Sequence, residues 1–121
     1  MDEQTILTEL VPAVNSLKTL ALVALDMEDA HPMALPEPPE ADKVAAYERQ
    51  MTTIAQQVNN PRHRALLNSS LQDYRSGFPD RAGNYLQEVV TRFLEDPEYA
   101  AAFSPAGQKR LKACLADLRE V

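Results

Sequence analysis

The chain has 121 residues, eighteen of them acidic and twelve basic, for a net charge of −6, and 45% of its residues are apolar. That length suits one domain with one core, and the apolar content excludes a disordered chain. The single cysteine, Cys114, excludes an internal disulfide framework and a cysteine-based zinc site. The acidity argues against generic nucleic-acid binding, which needs a basic footprint.

The opening residues, Met1-Asp2-Glu3, are acidic where a secretory signal would be basic. With one cysteine, a cytoplasmic protein is expected. The charge is uneven along the chain. Residues 1–60 hold three bases and ten acids, and residues 61–121 hold nine bases and eight acids. Solubility accounts for such asymmetry, and so does an acidic surface facing a basic partner.

The first helical signal runs through residues 1–29, with Ile6, Leu7, Leu10, Val14, Leu17, Ala21 and Ala24 at helical spacing. Pro12 predicts a kink or a restart, so a short turn from about Thr5 and then a long helix to Asp26 are expected. Leu17 to Leu25 is the longest apolar run. It is apolar around most of the helix, which predicts burial on all sides in a core or an interface. The run is too short, and too polar at its flanks, to suggest a bilayer span. It predicts a central helix with the later helices laid against it.

Residues 30–41 form a proline-rich acidic strap. Pro32, Pro36, Pro38 and Pro39 forbid a regular helix and favour extended chain. Met33 and Leu35 are expected to tuck onto the bundle. Pro36 and Pro39 make a formal PxxP, a motif common by chance; a stiff connection explains it as well.

Asp42 is the expected cap of a second helix reaching about Asn59, with Val44, Tyr47, Met51, Ile54 and Val58 as its inner stripe. Asn60-Pro61 pairs a cap with a first helical residue and opens a third helix, lined by Leu67, Leu71, Tyr74 and Phe78. Gly77 and Pro79 end it. A loop over 79–83 then leads to Asn84, which with Gln87 resembles a capping box. The fourth helix carries Tyr85, Leu86, Val89, Val90, Phe93 and Leu94. Asp96-Pro97 stops it and opens a short turn to Phe103. Ser104-Pro105 starts a last helix lined by Leu111, Leu115 and Leu118, with Cys114 beside them as a small buried hydrophobe. The fold class expected is all-α, a single domain over 1–121 with about five helices around the N-terminal one.

Catalytic motifs are absent from the sequence. Gly77, Gly83 and Gly107 all punctuate helices, and there is no phosphate loop, HExxH or GxSxG. His31 and His63 are isolated from each other, so no metal, cofactor or enzymatic activity is expected. One basic group stands out. Arg62, His63 and Arg64 fall in the first turn of the third helix, where cations oppose the helix dipole. They are a candidate anion site, or the pairing partners of this chain's own acids.

The function expected is a non-enzymatic protein-interaction module: a small acidic regulator, inhibitor, adaptor or subunit. Inhibitors carried by mobile elements belong to the same broad class, an analogy of class alone. The partner expected is another protein with a basic surface. The candidate partner-binding residues are Asp26, Glu28, Asp29, Glu37, Glu40 and Asp42. Leu22, Val23 and Leu25 exceed what one inward stripe needs, which points to a homodimer. The alternative is nucleic-acid binding by Arg62, Arg64, Arg75, Arg81 and Arg92, or by Lys109, Arg110 and Lys112. For a helix-turn-helix over Asn60 to Leu94, the loop near Gly77–Gly83 is long and the second helix carries few base-reading side chains.

Overall fold

The computed structural model describes residues 1–25, 35 and 37–121, with the backbone alone for Ala24 and Leu25. Among these residues every regular element is a helix: α1 (Glu3–Leu25), α2 (Ala41–Gln56), α3 (Pro61–Arg75), α4 (Pro79–Glu95), α5 (Pro97–Ala100) and α6 (Pro105–Arg119). The chain is all-α.

α1 starts earlier than the spacing predicts and does not break at Pro12. Asp2 accepts hydrogen bonds from the Thr5 backbone N–H and hydroxyl, satisfying donors of the first turn. The hydroxyl bond holds the Asp2 carboxyl below the usual carboxylate range, together with backbone N–H groups and the N-terminal charge and against partial desolvation. Pro12 is tolerated because it faces solvent, as does Thr8. The Thr8 carbonyl, which loses its donor there, can turn to water.

α2 is capped differently from the expectation. Glu40 holds the N-cap position, and Asp42 lies in the first turn, where its carboxylate accepts the Lys43 N–H at 2.9 Å. Its inner residues Tyr47, Met51, Ile54 and Val58 are buried. α3 opens as its sequence predicts, with the Asn60 side chain accepting the Arg62 N–H at 2.9 Å and Pro61 in the first turn.

The α3–α4 junction is tighter than expected. Gly77 adopts φ +86°. The Phe78 N–H reaches the Asp73 carbonyl and the Gly77 N–H the Tyr74 carbonyl, a Schellman closure. α4 begins at Pro79, so residues 79–83 are helix rather than loop, and Asn84 lies inside the helix rather than at a cap. A proline at the first helical position starts a helix as readily as it ends one, and that use prevails here. α5 and α6 are opened by Asp96 and Ser104, whose side chains accept the Glu98 and Gly107 N–H groups.

α1 packs against α2, α4 and α6, and α4 packs against α1, α3, α5 and α6. The shared core holds Ile6, Leu10, Leu17, Met51, Ile54, Leu67, Leu86, Phe93 and Leu111. Burial of α1 on all sides does not hold within the single chain. Leu20 is 6% exposed, but Leu22 is 64% and Val23 46% exposed. Residues 15, 19, 22 and 23 share the outward side of the helix, so the apolar run crosses from core to solvent near its end. The segment Glu3–Val23 has the length and hydropathy of a membrane span. Its core-facing residues are packed against three other helices, as in a core helix of a globular fold.

Candidate functional site

Of the six acidic candidates, Asp26, Glu28 and Asp29 lie outside the described residues, as do His31 and Met33. Glu37, Glu40 and Asp42 are exposed. Among the described residues none of the three forms an ion pair; the pairs present are Lys18–Asp117 and Arg75–Glu48, each at 3.4 Å. The end of the strap is anchored through Leu35. Its N–H donates to the Gly77 carbonyl at 2.8 Å, and its half-buried side chain packs on the core.

This anchoring creates a groove beside the C-terminal half of α1. Leu20, Val23, Leu35 and Pro38 give it apolar walls, and Glu37, Glu40 and Lys43 rim it, enclosing about 270 Å³. On the other flank of α1 lies a smaller apolar hollow of about 100 Å³, lined by Lys18, Ala21, Leu22, Glu120 and Val121. The exposed side chains of Leu22 and Val23 form the ridge between the two.

Arg62, His63 and Arg64 do not act as one cluster. His63 turns inward, and its Nδ1 lies 2.8 Å from the Tyr99 hydroxyl, with both residues buried. Burial pushes the Tyr99 phenol above its ordinary value, reinforced by the Asp96 and Glu98 carboxylates and opposed by the Asn60 backbone N–H and Arg64. The phenol therefore keeps its proton. Arg64 turns back to donate its Nε–H to the Val58 carbonyl. Arg62 stays at the surface and, with Asn60, His63, Glu88, Arg92 and Asp96, lines a polar cleft of about 320 Å³. Two guanidinium groups and two carboxylates offset one another there, so no uniform anion field results. A second cleft of about 440 Å³ lies beside Asn60 and Tyr99. Among the described residues no group of His, Cys, Asp or Glu side chains is arranged to hold a metal. Cys114 is buried, and burial raises its thiol above its ordinary value, the reverse of what a nucleophile needs.

The exposure of Leu22 and Val23 accords with their surplus over one inward stripe, and both align with the polar Asn15 and Thr19. Two features escape the sequence reading. The His63–Tyr99 contact joins positions 36 residues apart, which no local pattern reveals. The second is a buried polar chain in which Tyr47 meets Ser70 at 2.6 Å and Ser70 donates to the Ala82 carbonyl at 2.7 Å. Its signal was Ser70, a polar residue on the same helical face as Leu67 and Tyr74. Comparison of the chain with family models, with curated proteins and with solved structures finds no match to any of them.

Proposed function

We propose that the protein is a non-enzymatic interaction module of the cytoplasm, working through the face formed by the α1 ridge and the acidic edge beside it. In this reading the five longer helices are one bundle, and Leu35 with residues 37–40 borders the binding face. The observation that carries the reading is the ridge itself. Leu22 and Val23 are exposed beside an apolar groove rimmed by Glu37 and Glu40. Large apolar side chains next to one another, edged by charge, suit a desolvated contact with a polar rim. The complementary surface is apolar at its centre and basic at its edge.

A labelled amphipathic helical peptide of leucine and lysine is a suitable probe. Glu37→Gln with Glu40→Gln should slow its association and flatten the salt dependence, with the thermal midpoint unchanged. Binding that is the same at every ionic strength for both proteins would contradict the reading. A midpoint that falls sharply would assign those carboxylates to the fold instead.

The nucleic-acid reading gains one observation, the three-residue α3–α4 turn of Ser76, Gly77 and Phe78, which has helix-turn-helix length. The exposed side of α4 alternates Arg81 and Arg92 with Glu88 and Glu95. Such mixed charge does not favour a phosphate backbone.

A further inference from the structure

We infer that the α1 ridge is covered by a second copy of this chain, through a two-fold axis running parallel to α1. The inference rests on the interaction reading above and names the partner for the ridge.

The first support is the character of the outward face of α1. Its exposed residues from Gln4 onward include Thr8, Pro12, Asn15, Thr19, Leu22 and Val23, and none is charged. In a two-fold contact a surface meets itself, so each residue near the axis faces its own copy. A charged stripe would then repel its mate, and this neutral stripe does not. In a chain of net charge −6, the helix carries its acids off this face.

The second support is the pattern of charge on either flank. On the α6 side the hollow carries Lys18 and Glu120. On the strap side the groove carries Glu37, Glu40 and Lys43. An axis parallel to α1 sets the α6 flank of one copy against the strap flank of the other. Glu120 then faces Lys43, and symmetry makes the pairing twice, while Lys18 is held by Asp117 of its own chain at 3.4 Å. An axis crossing α1 would set each flank against itself, with the Glu37 and Glu40 carboxylates opposed to their own copies. Leu22 and Val23 form the desolvated centre in either case, so the flanking charges select the parallel arrangement.

The test is sedimentation of the full chain from low-micromolar to submillimolar concentration. The expected result is a species of twice 13.5 kDa. Leu22→Asp with Val23→Asp should raise its dissociation constant at least about ten-fold. Leu22→Ser with Val23→Ser serves the same purpose should the aspartates alter the melting curve. Lys43→Glu and Glu120→Lys should each weaken association, and the two together should restore it. A wild-type chain that stays at 13.5 kDa throughout overturns the dimer and leaves the peptide titration to decide the interaction reading. A dimer indifferent to changes at Leu22 and Val23 overturns the ridge as the two-fold contact and leaves the peptide titration to decide the interaction reading. Charge reversals that weaken without restoring overturn the parallel two-fold arrangement.

Discussion

The hydroxyl of Ser70 gives its proton to the Ala82 carbonyl, so the bond to Tyr47 must be donated by the phenol. Two hydrogen bonds thus tie α2, α3 and α4 together inside the core, and Tyr47 stacks on Tyr74 with ring centroids 4.1 Å apart. Ser70→Ala leaves the phenol buried without a partner and should cost about 1–3 kcal/mol in urea unfolding. Adding Tyr47→Phe removes the orphaned hydroxyl, so the double variant should be less destabilised than the two single changes added together. Additive losses would show that the bond contributes little. The same tyrosines set the alkaline limit of the fold. Burial raises the phenols of Tyr47, Tyr74 and Tyr99 above the ordinary 10.0. The folded chain then holds protons that the unfolded chain releases, and stability falls with rising pH once that release begins. The thermal midpoint should be insensitive to these groups below the ordinary tyrosine value, decline above it, and decline less steeply in Tyr47→Phe. An equal alkaline slope in the variant would contradict the assignment for Tyr47.

α1 shows at the scale of one element how far sequence reading reaches. The period of Ile6, Leu10, Val14 and Leu17 identifies a helix and its buried face without reference to structure, because burial on one side imposes that period. The caps at Asn60, Asp96 and Ser104 were legible for the same reason: orphan N–H groups need an acceptor at one fixed offset. Pro12 and Pro79 depart from the expectation because proline restricts its own neighbourhood in the same way in a break, a tolerated surface position and a first turn. Neighbouring residues alone do not distinguish these. The run from Leu17 to Leu25 is buried within the chain only in part, because composition does not say where a core ends and an interface begins. Leu20→Ala, in the core, should cost about 2–5 kcal/mol, whereas Leu22→Ala should change monomer stability by less than about 0.5 kcal/mol. Equal losses in dilute urea titrations would place both residues in one environment. The start of α6 offers a sharper case. Glu3 accepts hydrogen bonds from the Ser104 N–H and hydroxyl, and its carboxylate occupies the space that a Gly107 side chain would need. Alanine exceeds glycine by about 1 kcal/mol in a helix. Gly107→Ala should therefore stabilise a Glu3→Ala background and fail to stabilise the wild type. The same gain in both backgrounds would mean that Glu3 moves aside freely.

The acidic bias of the first sixty residues is visible in the sequence, and it includes the Glu37 and Glu40 edge of the groove. The groove was not visible, because it exists only where Leu35 is pinned to the α3–α4 turn and residues 37–40 lie beside α1. The candidate anion site was legible as a cluster in sequence but not as a site. Helical geometry sends Arg62, His63 and Arg64 in different directions, and tertiary partners hold His63 and Arg64 there. If the Leu22–Val23 face is where this protein meets others, backbone-amide NMR during titration with the leucine–lysine peptide should show shifts concentrated at residues 18–23, 35, 37 and 40–43, lost when Leu22 and Val23 become aspartate. Shifts confined to the polar clefts around Asn60, or unchanged by those two substitutions, would contradict that reading.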